Sequence, residues 1–282
     1  MKKTLPEREH DKDVVIKKHG QAPRPQDVVV SGLKVHCWVG GRGPAILLFH
    51  AAWGDAEMSW RSVWNQLSRS FTVIAPDLPG FGLSSGLPRP SLSAMARLLK
   101  QLLDALNVDH VIAVGNSFGA AVGLQFACTY PESVSQLVLV NGGYMPAAPG
   151  LVRQLIGLPL LKNAFGLLMH HHSFSDRAIK GAFADGSRLT PGFMEKIRQT
   201  SRAYSAIVYD VWLDLAEPLA SPAVPTLVVW GTQDKLGPLK YARLLQDRIP
   251  DAKLVPIDGA GHMPQLERSE EFVSAITALR LR

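Results

Sequence analysis

The chain reads as an α/β protein: a mostly parallel central sheet flanked by helices, with a helical lid inserted late. Three observations predict this class. Short apolar runs of strand length alternate with amphipathic stretches of helix length from residue 45 onward, the pattern of a parallel sheet covered on both faces. One such run, Val111 to Val114, passes straight into Gly115-Asn-Ser-Phe-Gly119 and an alanine-rich segment ending at Tyr130. That order spells a buried strand, a very tight turn and a helix. The rhythm then breaks, because about 85 residues between Val140 and Thr226 hold no convincing strand.

Residues 1–27 are polar, carry mixed charge and include Pro6, Pro23 and Pro25, as expected of a flexible N-terminal arm. Residues 28–39 then form two strand-like runs around Ser31-Gly32, a hairpin with a two-residue turn. Further strands are predicted over 45–49, 71–75, 111–114, 137–140, 226–230 and 253–257, and helices over 57–70, 91–107, 117–130, 238–249 and 269–281. In the second of these helices Ser91 is placed to cap, and Leu92, Met95, Leu99, Leu102 and Leu106 fall on one face at helical spacing. Helix-like stretches over 150–169 and 193–215 occupy the strandless interval. The expected division is a core over 28–141 and 219–282, with a helical cap or lid over 142–218.

Composition narrows the function. With 46% hydrophobic and 19% charged residues among 282, the chain has the make-up of an ordinary globular protein large enough for a substantial core. The net charge of +6 is spread without a basic block or interleaved aromatics, so nucleic-acid binding is not expected. Cys37 and Cys128 fall in a predicted strand and a predicted helix, which suits buried, reduced thiols and a cytoplasmic location. Met-Lys-Lys-Thr is followed by a charged stretch rather than an apolar one, so a secretory leader is not expected. No apolar run has the length of a membrane span.

The five residues Gly115-Asn-Ser-Phe-Gly119 carry the chemistry. A serine at the tip of a sharp strand-to-helix turn is held in a strained conformation with its oxygen projecting over the strand ends, and flanking glycines let strand and helix pass closely. Ser117 is therefore the expected nucleophile. A hydroxyl needs an adjacent base, and the base an orienting third group. Asp234 leaves a predicted strand in Trp230-Gly-Thr-Gln-Asp234, and His262 ends the glycine-rich Gly259-Ala-Gly-His262 after the next strand. All three stand at carboxyl ends of predicted strands, where catalytic groups of α/β sheets gather.

These motifs, with Leu47-Leu-Phe-His50 and Pro76-Asp-Leu-Pro-Gly-Phe-Gly-Leu-Ser84, closely resemble those of α/β-hydrolase-fold enzymes over roughly residues 28 to 282. The resemblance implies a serine hydrolase in which Ser117, Asp234 and His262 form the catalytic triad, with no metal or organic cofactor. It also implies an oxyanion hole made by the backbone N–H groups of Phe118 and, by family position, Ala52. The residue after His50 is usually glycine in this family and is Ala51 here. A glycine at positive φ could not be replaced by alanine without strain, so this loop tests the resemblance. His50 is expected to organise the loop rather than act as a base.

The expected substrate is a carboxylic ester or related small molecule with an apolar part, cleaved through an acyl-enzyme. Trp53, Leu155, Phe165 and Met263 are the candidate pocket residues; the apolar lid stretch 151–169 is read either as pocket wall and gripping patch or as ordinary cap packing. Carbon–carbon hydrolysis of a ring-cleavage dienoate is an alternative: the elbow with Asn116 is similar to that of those hydrolases, but they generally carry tryptophan where this chain has Met263. Acyl transfer to an alcohol is a further alternative. Dehalogenase and epoxide-hydrolase chemistry is disfavoured, since those relatives carry aspartate at the position of Ser117. A non-catalytic ligand-binding module of the same fold would often lack triad members, and all three are present. Gly80-Phe-Gly-Leu-Ser-Ser-Gly86 has neither the spacing nor the following helix of a dinucleotide loop. His170-His-His172 points three ways on a helix and lacks a second ligand cluster, so no metal is assigned.

Overall fold

The computed structural model describes residues 22–143, 150, 154, 158–215 and 219–281. Eight strands form one sheet: β1 (Arg24–Val30), β2 (Leu33–Gly41), β3 (Ala45–Phe49), β4 (Thr72–Pro76), β5 (Val111–Asn116), β6 (Val134–Val140), β7 (Thr226–Gly231) and β8 (Lys253–Ile257). Their order is β1-β2-β4-β3-β5-β6-β7-β8. The pairs β1/β2 and β2/β4 are antiparallel and the remainder parallel. From β3 the chain steps first to one side and then to the other, so the strand order reverses between β3 and β5. In such sheets the crevice at the reversal, beyond the carboxyl ends, is where ligands bind.

The hairpin turn has both central residues at positive φ, Ser31 at 51° and Gly32 at 77°, which matches the twist of the paired strands. Residues 24–27 of the expected arm belong instead to the sheet, since Arg24–Asp27 pair with Val39–His36. Pro25 had argued against a strand there; β1 lies at the sheet edge, where a residue without an N–H costs no ladder bond.

Side chains alternate across the sheet as the two-residue period of a strand requires. Ile46, Leu48, Val73, Ala75, Val114 and Val138 face α1 (Ala56–Leu67) and α9 (Ser269–Thr277), meeting Trp60, Val63, Phe272 and Ile276. Leu47, Phe49, Ala113, Leu137, Leu139 and Val228 face the opposite layer of α2 (Leu92–Ala105), α3 (Phe118–Thr129) and α7 (Lys240–Arg248). The Ser91 hydroxyl accepts the Ala94 N–H at 3.1 Å and starts α2. α3 is buried nearly all round, as a helix of small apolar residues beneath a sheet must be.

Between β6 and β7 stand α4 (Pro159–Phe174), α5 (Asp176–Ala182) and α6 (Pro191–Asp214). α4 packs on α6. These helices join the core at particular points. Trp53 Nε1 donates to the Ser173 carbonyl at 2.9 Å, Lys196 meets Asp55 at 2.7 Å, and the Tyr204 hydroxyl accepts the Gly82 N–H at 2.8 Å. Among the described residues no helix is long and apolar enough to cross a membrane.

Candidate active site

β5 delivers Ser117 through a turn that ordinary residues cannot make. Ser117 has φ 55° and ψ −115°, a left-handed conformation costly for a non-glycine residue, and its N–H donates to the Val140 carbonyl at 2.9 Å. The flanking glycines are demanded by close approach: a Cβ on Gly115 would stand 2.2 Å from the Gly119 carbonyl oxygen, and one on Gly119 2.2 Å from that of Phe49. The strain at Ser117 is thus held by backbone packed on both sides.

His262 follows β8 in the short loop before α8 (Pro264–Glu267). Its Nε2 lies 2.8 Å from Ser117 Oγ and its Nδ1 2.8 Å from Asp234 Oδ2. A carboxylate only accepts, so Nδ1 carries the hydrogen and Nε2 is left to accept from the serine hydroxyl. Asp234 and His262 are both nearly removed from solvent. Asp258, the nearest other aspartate in sequence, instead accepts from the Thr232 hydroxyl at 3.0 Å.

Asp234 is held by more than the histidine. Oδ1 accepts the Leu236 and Gly237 N–H groups, each at 2.9 Å. Oδ2 also accepts from Asn141 Nδ2 at 2.7 Å. Asn141, at the end of β6 with φ 44°, further accepts the Gly231 N–H through Oδ1 at 3.1 Å. Sequence reasoning missed this residue. The available signal was a polar residue followed by two glycines at the carboxyl end of an apolar strand, of a type that tolerates left-handed backbone.

The loops around the histidine are tied as firmly. The His262 N–H donates to the Ala182 carbonyl at 2.9 Å. Asn116 Nδ2 donates to the His262 carbonyl at 3.1 Å and its Oδ1 accepts from Gln265. Buried Glu267 accepts the N–H groups of Ala184 and Met263 at 2.7 and 3.2 Å.

The loop after β3 carries His50, Ala51 and Ala52. His50 Nδ1 donates to the Ala51 carbonyl at 2.7 Å, and Nε2 accepts the Leu78 N–H at 2.8 Å. Both nitrogens are occupied, and burial holds the imidazole below its usual range in spite of Asp77. Ala51 is not among the residues at positive φ, so alanine is accommodated there without backbone strain. Ala52, Trp53, Ser117, Phe118 and His262 together line a cavity of about 380 Å³, closed further by Ala121, Phe174, Val208, Trp230 and Tyr241. Phe118 is the first residue of α3, so its N–H has no acceptor within the helix.

Of the candidate pocket residues, Trp53 lines this cavity. Met263 does not: it is buried in the hydrophobic core. Phe165 falls within α4, and Leu155 lies outside the described residues. Among the residues of the histidine run, His170 Nε2 meets the Ser201 hydroxyl at 3.1 Å, while His171 and His172 are exposed. No group of three or more potential metal ligands occurs among the described residues.

Residues 44–269 match the profile of the alpha/beta hydrolase fold family. The chain belongs to that family. This α/β-hydrolase is 29% identical to an uncharacterized protein of Mycobacterium tuberculosis over 90% of its own length and 80% of the other. It is 28% identical to the 2-hydroxy-6-oxo-6-phenylhexa-2,4-dienoate hydrolase of Burkholderia cepacia, covering 86% and 90% of the two chains. A solved serine hydrolase involved in carbazole degradation superposes with a TM-score of 0.71 at 25% identity, over 93% of this chain and all of that one.

Proposed function

We propose that this α/β-hydrolase is a serine hydrolase that cleaves a carboxylic ester, or a related carbonyl compound, with an apolar part. The observation that carries the reading is the hydrogen-bonded series Ser117–His262–Asp234 opening into a largely apolar cavity. His262 takes the Ser117 proton as the oxygen attacks the carbonyl carbon. The charge that develops on the carbonyl oxygen is met by the N–H groups of Ala52 and Phe118. The protonated imidazole then gives its proton to the leaving alcohol, and an acyl-enzyme forms. Water, deprotonated by the same imidazole, attacks the acyl carbon and releases the acid and Ser117. The helices of 142–218 act as the lid over this cavity.

A second reading, hydrolysis of a carbon–carbon bond in a ring-cleavage dienoate, is favoured by the activity of the Burkholderia relative. Against it, no lysine or arginine lines the catalytic cavity among the described residues, and a buried carboxylate without a cation is costly. Asn116, shared with the dienoate-hydrolase elbow, is spent on Val140, His262 and Gln265.

Labelling with a fluorophosphonate and locating the adduct by mass spectrometry tests the nucleophile: the label is expected on Ser117, and Ser117→Ala should fold normally yet lose essentially all turnover. Substantial residual activity in that variant overturns the assignment. A panel of aryl esters and dienoates then separates the two readings.

A further inference from the structure

Four of the seven strongly exposed large hydrophobic residues among the described ones lie together at or on α4. They are Leu158, Leu161, Leu167 and Leu168, at 54%, 43%, 65% and 61% exposure. Leu161 and Leu168, seven residues or about two turns apart, project to the same side of the helix, Leu158 and Leu167 flank them, and exposed His171 and His172 continue that side at its last turn. The other side of the same turn bears Ser173 and Phe174, which line the catalytic cavity. One short helix thus connects an outward apolar face to the reacting centre.

At its C-terminal end that face runs into a second cavity of about 340 Å³ lined by His171, His172, Ser175, Arg177 and Lys235. Among the described residues no carboxylate lines it. Arg198, Lys196, Arg61 and Lys100 all meet acidic partners; Arg177 and Lys235 form no ion pair among the described residues. Leu236 borders both this cavity and the catalytic one. The whole chain carries +6 at pH 7.

We propose that this side of α4 is a docking surface for an anionic lipid layer, the four leucines entering its interfacial zone while Arg177 and Lys235 seat lipid phosphate in the cavity at the helix end. Exposed leucines combined with basic residues, here supplied by α5 and the loop after β7, are the combination that binds such interfaces, and each basic residue adds attraction to anionic headgroups. A second copy of the chain fits less well, because two such faces brought together would oppose their own unpaired cations. The docking does not depend on the reaction at Ser117.

The test is sedimentation of the full chain with vesicles of phosphatidylcholine alone and of equimolar phosphatidylcholine and phosphatidylglycerol, run also on Ser117→Ala so that hydrolysis plays no part. Both forms are expected to bind the anionic vesicles and to leave them as salt rises. The double change Leu167→Ser with Leu168→Ser, at exposed positions, should weaken binding roughly tenfold or more. Arg177→Glu should weaken binding to the anionic vesicles by at least roughly fivefold, the worth of one basic residue at such a surface, and leave binding to phosphatidylcholine unchanged. Melting temperature and turnover of a short, soluble aryl ester should be unaltered in both variants. The idea is overturned if the parent ignores both vesicles or if the variants bind as it does. It is equally overturned if the parent sediments as a dimer that the leucine changes dissociate, since the face then belongs to a second copy.

Discussion

Replacing Asp234 by asparagine isolates what the carboxylate does, because its four hydrogen bonds divide evenly between its two oxygens. Oδ1 receives the Leu236 and Gly237 N–H groups at 2.9 Å, while Oδ2 receives His262 Nδ1 at 2.8 Å and Asn141 Nδ2 at 2.7 Å. An amide keeps only one of these oxygens. Were its NH₂ turned toward the loop, two backbone donors that cannot reverse would each face another donor, at about 1–3 kcal/mol apiece. The amide therefore turns the other way, keeps both loop bonds at the expense of the one from Asn141 Nδ2, and presents NH₂ to the imidazole. His262 must then accept through Nδ1 and carry its hydrogen on Nε2, facing Ser117 Oγ at 2.8 Å. In that tautomer it cannot take the serine proton. The loss should be on the order of 10⁴ in kcat, or about 5.4 kcal/mol at the transition state, with KM little changed. Steady-state kinetics on a short aryl ester, with circular dichroism to establish folding, measure it. A folded variant within tenfold of the parent refutes the reasoning, all the more if Asp258→Asn proves the damaging change.

Three further outcomes follow from the same contacts. Lys196→Met should cost about 1 kcal/mol, since the pair joins a half-buried lysine to a mostly buried aspartate. Burial raises the Asp55 carboxyl but Lys196 and the Met58 N–H outweigh it, so its net shift is down from 3.8; burial lowers Lys196 but Asp55 outweighs it, so its net shift is up from 10.5. The aspartate contribution is present above 3.8 and lost as pH falls through its depressed value; the lysine contribution is present below 10.5 and lost as pH rises through its elevated one. Parent and variant melting temperatures should thus differ most near neutrality and converge at both extremes; a constant difference across pH contradicts the pairing. Glu267→Gln keeps one acceptor for two N–H groups and should destabilise by about 1–3 kcal/mol in urea titrations, whereas an unchanged midpoint would mean that the carboxylate holds nothing. Ala121→Leu fills part of the catalytic cavity, so kcat/KM should fall for longer acyl or alcohol groups by roughly fourfold per methylene no longer buried, about 0.8 kcal/mol each, while an acetate ester is spared; uniform loss along a chain-length series counts against a cavity-bound apolar group.

Much of the sheet was legible because burial on both faces writes itself as continuous apolar runs. The strands at Ala45–Phe49 and Lys253–Ile257 begin and end where the sequence places them. β5 and β6 run longer than their apolar stretches: Asn116 continues β5 because its polar side chain finds partners in buried backbone and Gln265, and Val134 to Gln136 join β6 by pairing with β5. Arg24–Asp27 were illegible as strand since an edge position removes the two signals sequence offers, apolar alternation and the exclusion of proline. At the site, Ser117, Asp234 and His262 announce themselves through glycine-rich loops after strands. Asn141, Glu267 and Gln265 do not, because each works through one or two hydrogen bonds whose partners lie far away in sequence.

Those unannounced residues share a location that bears on how the site works. The His262 N–H is bonded to Ala182 at the end of α5, Glu267 reaches Ala184 just beyond it, and Trp53, beside the His262 ring at 5.2 Å, is bonded to Ser173 at the end of α4. The helices between β6 and β7 therefore hold the histidine loop and the loop after β3 from outside, while Asn116 and Asn141 hold the histidine loop and Asp234 from the sheet. A displacement of α5 would pull on the backbone of His262, and through it on the 2.8 Å contact with Ser117 Oγ. Proton transfer is sensitive to such distances, so substitutions that disturb the contacts of Ala182 and Ala184, though they never touch a substrate, should act on kcat. Loosening the Ala184–Glu267 bond is the most direct way to see this, because Glu267 lines neither the catalytic cavity nor the Ser117–His262–Asp234 series.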